Sequence, residues 1–66
     1  MEIMINGFWE EVRQGITLYQ AIELFEPGHP ELIVELNGRF VHFREYKERV
    51  LSPGDRLELI LAAFGG

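Results

Sequence analysis

Cysteine is absent from this 66-residue chain. Its absence excludes a disulfide framework, a thiolate metal site and a cysteine nucleophile. Histidine is nearly as scarce: His29 falls in a Pro-Gly loop and His42 near a strand end. Neither has a second ligand at metal spacing, so both read as surface histidines and no metal is expected. No apolar run is long enough to span a bilayer, and none behind Met1 resembles a signal peptide. The expectation is an intracellular, cytoplasmic protein with no membrane partner. Cations are few as well, six Lys and Arg against eleven Asp and Glu, for a net charge of −5. Arg13, Arg39, Arg44, Lys47, Arg49 and Arg56 are scattered and form no basic stripe, which argues against nucleic acid as a partner. An acidic surface serves solubility and also steers basic protein partners.

What is present is a small apolar core. The chain is 47% hydrophobic, so it folds rather than staying disordered. A domain of this size buries roughly 60% of the surface its unfolded chain exposes. That leaves no room for both a core and an enclosed active-site cavity. No phosphate loop, G-x-G-x-x-G or nucleophile elbow occurs. Glu10 and Glu11 alternate faces on a strand and do not act as a pair, and Ser52 reads as a turn residue without a base. The chain is therefore not expected to be an enzyme.

The order of elements is legible from pattern. Glu2 to Asn6 alternates as a strand with Met1, Ile3 and Ile5 on one face. Asn6-Gly7 signals a type I′ turn, because both central residues need positive φ. Phe8 to Arg13 returns with Ile5 opposite Phe8 and Met4 opposite Trp9. On this reading Phe8 and Val12 join Ile3 and Ile5 in the core, and Met4 and Trp9 share the other face. Thr17 and Gln20 form a capping box, opening a helix whose stripe is Leu18, Ala21, Ile22 and Phe25. Pro27-Gly28 and Pro30 end it. Glu31 to Asn37 is a strand, Asn37-Gly38 a second tight turn, and Phe40 to His42 pairs back. Arg44 to Val50, with Tyr46 and Val50 four apart, holds one helical turn. Ser52 to Asp55 is a turn, and Arg56 to Ala62 a last strand with Leu57, Leu59 and Leu61 on one face. That strand is apolar enough to be central. The expected fold is α+β: a single β-grasp (ubiquitin-like) roll over residues 1–66, with a mixed sheet of four to five strands, one main helix across one face, and a flexible tail at 63–66.

The tail is where chemistry is expected. Gly65-Gly66 has no side chain and adopts nearly any φ and ψ, so it threads a narrow channel into another enzyme. Its carboxylate is an acyl group that ATP converts to an acyl-adenylate, open to a sulfur or amine nucleophile. Following a strand that ends four residues earlier, in β-grasp order, the pair gains weight.

Several stretches in sequence carry a resemblance. They are Ile3-Met4-Ile5-Asn6-Gly7, Thr17-Leu18 and Val34-Glu35-Leu36-Asn37-Gly38, then Val41 with Arg44-Glu45-Tyr46, and Gly54-Asp55-Arg56-Leu57-Glu58-Leu59 before Gly65-Gly66. Over nearly its whole length the chain resembles the sulfur carrier proteins of thiamine biosynthesis, in the ubiquitin-like ThiS/MoaD group. The resemblance implies that Gly66 is the acyl carrier and Gly65 its flexible neighbour. An E1-like (ThiF-like) adenylyltransferase uses ATP to adenylate Gly66. Sulfur relayed from cysteine by a donor such as a cysteine desulfurase then makes a thiocarboxylate. A ThiG-like thiazole synthase accepts that sulfur. No cofactor is bound by the carrier itself. The sheet face away from the helix, with Met4, Trp9 and Ile60, and with Ala62 and Phe64 leading into Gly65 and Gly66, is implied to dock on the adenylyltransferase, unless the Arg44–Val50 segment covers it. Phe64 departs from the small or aliphatic residue expected there. Other acceptors are open alternatives: molybdopterin or tungsten cofactor, tRNA thiolation and cysteine synthesis. So is a β-grasp interaction module without acyl chemistry.

Overall fold

Two Asn-Gly pairs set the outer parts of the sheet. In the computed structural model, which describes residues 1–28 and 31–61, φ is +50° at Asn6 and +87° at Gly7, and +52° at Asn37 and +81° at Gly38. Both turns are left-handed at both central positions, as a two-residue I′ hairpin demands. The first joins β1 (Glu2–Ile5) to β2 (Phe8–Glu11), with Ile5 opposite Phe8 and Met4 opposite Trp9. The second joins β3 (Leu32–Leu36) to β4 (Arg39–Val41), with Leu36 opposite Arg39. The returning strand thus begins at Arg39, one residue before the expected Phe40.

Between the hairpins runs α1 (Leu18–Phe25). Thr17 caps it: its Oγ1 accepts from Gln20 N at 3.1 Å, and Gln20 Oε1 accepts from Thr17 N at 3.0 Å. Leu18, Ala21 and Ile22 are buried and Phe25 packs at the margin of the core. The chain ends in β5 (Arg56–Leu61), parallel to β1 and antiparallel to β3. The strand order is β2-β1-β5-β3-β4, so β5 is central and lies beside the first strand. This is the β-grasp architecture. The inner face of the sheet, with Ile3, Ile5, Val34, Leu36, Val41, Leu57 and Leu59, meets the helix stripe in one core cluster.

Three expectations about packing are corrected. Phe8 lies on the same side as Ile5 but is 72% exposed. An eight-residue helix is about 12 Å long, whereas five strands spread about 19 Å, so the outer strand β2 escapes its cover at the hairpin end. Leu61 shares the face of Leu57 and Leu59 yet is exposed, opposite the half-buried Leu32 at the margin of the core. The helical turn expected within Arg44–Val50 is a 3₁₀ turn at Phe43–Glu45, capped by His42. Val50 is exposed and bridges to Thr17, while Tyr46 alone packs against the core.

That connecting segment serves the helix start. Arg49 O accepts from Leu18 N at 2.8 Å and Tyr46 O from Tyr19 N at 3.0 Å. Two of the four N–H groups that every helix start leaves unpaired are thereby satisfied. Leu51 N donates to Ile16 O at 2.9 Å, and both residues are buried in the core. The segment therefore runs on the helix side and does not cover the outer sheet face.

Candidate functional site

The outer face is built by residues alternating with the core. On β5 the inward residues are Leu57 and Leu59, and Arg56, Glu58 and Ile60 point the other way. Met4 of β1 lies beside Arg56 and opposite Trp9 of β2. Ile60 lies opposite Ile33, and Glu58 opposite Glu35, which in turn faces Phe40. Trp9 is 55% exposed and Ile60 40%, while Met4 is half-buried between its neighbours.

The face expected as one patch is thus two. Met4 and Trp9 stand level with Arg56, and Ile60 is four residues further along β5, about 13 Å away. Between them lie the paired Glu58 and Glu35. Ile60 has a companion that the sequence reading left out: Ile33, also 40% exposed. The signal was available, since Ile33 is apolar at the outward position of an alternating strand. Phe40 and Phe43 are also exposed, and the His42 ring lies between them, 6.5 Å edge-on from Phe40 and 4.5 Å from Phe43. Of the expected site, Ala62, Phe64, Gly65 and Gly66 lie outside the described residues, as do His29, Pro30 and the rest of the 63–66 tail.

From its start to Leu59, β5 is held on both sides. Against β1, Asn6 N donates to Leu57 O at 2.9 Å, and the Asn6 carboxamide pairs with Leu59: Leu59 N donates to Oδ1 at 2.7 Å and Nδ2 donates to Leu59 O at 3.2 Å. At the start of β5, Arg56 N donates to Asn37 Oδ1 at 2.9 Å and Asn37 N donates to Arg56 O at 2.7 Å. Asp55 orders the turn before it, accepting from Ser52 N at 2.7 Å and Asn37 Nδ2 at 3.0 Å. Ser52 is therefore a turn residue. The strand that leads to the tail is held by asparagine side chains at its first residue, Arg56, and at Leu59.

Chemically active groups are sparse around it. Among the described residues no three His, Asp or Glu side chains gather as a metal site, and no polar side chain is buried. His42 Nδ1 accepts from Arg44 N at 3.3 Å and Arg44 Nε at 3.2 Å, a local cap. Among the described residues one titration is displaced: burial pushes the Tyr46 phenol above its ordinary value of 10.0. Tyr46 lies on the helix side, away from the outer face. Among the described residues no helix is long and apolar enough to cross a membrane.

Solved structures with the same architecture exist. A crystal structure of the thiamine biosynthesis protein ThiS from Geobacter metallireducens superposes with a TM-score of 0.86 at 20% identity, covering 100% of both chains. A solution structure of a thiamine biosynthesis protein from the same organism gives 0.81 at 20% identity, over 100% of this chain and 88% of that one. At such identities the likeness speaks for the fold. No match is found among curated proteins. The sequence pattern of the ThiS family, however, fits residues 3–66, from the first strand through the closing Gly-Gly. The chain belongs to the ThiS family.

Proposed function

We propose that this protein is a sulfur carrier whose Gly66 carboxylate is activated and sulfurated by partner enzymes. A ThiF-like adenylyltransferase attaches AMP from ATP to the carboxylate and releases pyrophosphate. A sulfur nucleophile derived from cysteine through a desulfurase then displaces AMP, leaving a thiocarboxylate on Gly66. Where the sulfur arrives as a persulfide, a second thiol completes the reduction. A ThiG-like thiazole synthase takes the sulfur for the thiazole of thiamine. The chain acts as a co-substrate and contributes no catalytic side chain.

One observation supports this above the others: the family match runs through Gly65-Gly66, five residues beyond the central strand. A fixed strand followed by a short tail ending in two glycines suits delivery of a carboxylate into a narrow active site. The similar solved structures are of thiamine biosynthesis proteins, which favours thiazole formation over the molybdopterin, tungsten-cofactor, tRNA and cysteine alternatives.

The test is intact mass after incubation with ATP, a sulfur donor and the adenylyltransferase. Wild-type protein gains the mass of one oxygen replaced by sulfur. Deleting Gly66 moves the carboxylate back by one residue, and displacements near an ångström cost about 100-fold in a positioned reaction. The deletion variant should keep its melting temperature and lose adenylation. Sulfuration of the deleted protein at the wild-type rate refutes the carrier reading and favours an interaction module. A wild-type thiocarboxylate that thiazole synthase does not consume points to one of the other acceptors.

A further inference from the structure

We propose that a groove at the start of β1 receives an arginine side chain from a protein partner. The groove has a volume of ≈ 580 Å³, opens to solvent, and is lined by Met1, Glu2, Trp9, Glu11, Pro53 and Gly54. Its shape and chemistry match a guanidinium on an apolar stem. Trp9 offers an indole face, 55% exposed, on which arginine stacks by cation–π attraction and planar contact. Met1 and Pro53 give apolar walls for the methylenes. Glu2 and Glu11 offer carboxylates, which arginine engages through two parallel N–H···O bonds.

The two carboxylates face each other, and the chain's own Met1 ammonium pairs with only one of them, Glu11. Glu2 and Glu11 are directly opposite one another on β1 and β2, and like charges in that relation are destabilising. Glu11 Oε1 accepts from the Met1 amino group at 3.1 Å. The Glu2 side chain has no hydrogen-bond or ion-pair partner among the described residues. The nearest cation of the adjoining strand, Arg56, lies level with Met4 and forms no ion pair with Glu2. Asp55, close in sequence to the groove, is occupied by Ser52 and Asn37. The open carboxylate of Glu2 and the open face of Trp9 therefore meet in one concavity on a chain of net charge −5. Trp and Arg are among the residues that most often dominate protein interfaces.

This groove is remote from Leu61, the end of β5. Gly54 N donates to Glu2 O at 2.8 Å, which sets the groove beside residue 54, seven residues before Leu61. Along a strand that is on the order of 20 Å. The inference does not rest on the carrier reading, and its test uses the protein alone.

Trp9 is the only tryptophan, so its fluorescence reports this groove. The probes are three blocked tripeptides, acetyl-Gly-X-Gly-amide with X as arginine, lysine or citrulline, titrated at low salt. Amide NMR shifts are followed in parallel. The arginine peptide should give a saturable response centred on Glu2, Trp9, Glu11 and Gly54, with lysine weaker and neutral citrulline near baseline. Glu2→Gln should weaken arginine binding about tenfold, as expected for loss of a charge-assisted pair. Trp9→Leu, read by the amide shifts, should weaken it too, and both variants should retain the wild-type spectrum elsewhere. A linear, non-saturating response to arginine overturns the proposal. So does an equal response to citrulline, unaltered affinity in Glu2→Gln, or shifts centred on Ile33 and Ile60 instead.

Discussion

The Asn6 carboxamide pairs with both main-chain groups of Leu59, accepting from its N–H at 2.7 Å and donating to its carbonyl at 3.2 Å. Where β1 ends, a side chain continues the ladder against β5. The same residue supplies the positive φ of the first turn, so it does two separable jobs. Asn6→Asp keeps a residue tolerant of that φ and retains the acceptor. It loses the donor and sets a carboxylate against the Leu59 carbonyl. Urea unfolding should show a loss of about 1–3 kcal/mol. Asn6→Gly frees the turn of strain but removes both bonds and should also lower the midpoint. Unchanged midpoints in both variants would mean that the clamp contributes nothing.

Leu59 is buried on the central strand, in the cluster that includes Leu18 and Ile22. Truncation of a buried leucine costs about 2–5 kcal/mol through lost transfer energy and a cavity. A domain of this size holds only about 3–5 kcal/mol in total. Leu59→Ala should be largely unfolded at room temperature or melt far below wild type by circular dichroism. A wild-type melting temperature would contradict its placement.

Ile60 and Ile33 form an exposed pair on the outer face, close to where the tail departs. If that end docks on the adenylyltransferase, Ile60→Asp places an unpaired charge in the contact. Calorimetric titration should show at least tenfold weaker binding, equivalent to about 1.4 kcal/mol, with the fold retained. Loss of folding with no loss of affinity in the folded fraction would assign Ile60 to the core instead.

Tyr46 has a displaced titration, raised by burial beside the core. The folded state holds the phenolic proton to higher pH than the unfolded chain, whose tyrosine titrates near the ordinary 10.0. The folded form binds more protons in the interval between the two values, so stability falls with rising pH there and is unaffected below it. Unfolding midpoints measured across alkaline pH should decline more steeply for wild type than for Tyr46→Phe. Parallel declines would show that the phenol is not the source.

Much of the fold could be read from local chemistry. The two Asn-Gly turns, the Thr17–Gln20 box and the alternation in β1 and β3 are rules that operate within a few residues. The central position of β5 followed from Leu57, Leu59, Ile60 and Leu61, which leave little polar surface for an outer strand. What escaped depends on distances that no window of sequence contains. Alternation assigned Phe8 its side of the sheet but not the reach of α1, and that reach leaves it exposed. It put Met4, Trp9 and Ile60 on one face but not the acidic pair Glu35–Glu58 that divides them, because that pair arises from the β3–β5 register. The Asn6–Leu59 clamp joins residues 53 apart in sequence, and the Glu2–Trp9 groove needs Pro53 and Gly54 to close its side. The tail, which drew most of the functional expectation, lies beyond the described residues.

The central place of β5 has a consequence for the order of events in synthesis. β1 pairs only with β2 and β5, and β3 only with β4 and β5. Until residues 56–61 emerge, the two hairpins have no strand in common, and an isolated hairpin is marginal in water. Folding must therefore wait for nearly the whole chain, and the closing step carries the entropic cost of a long loop. A truncated product has no half-domain to fall back on and is exposed to proteolysis. A molecule with a settled sheet has β5 in place, so a partner that recognises the sheet engages only chains translated through Leu61.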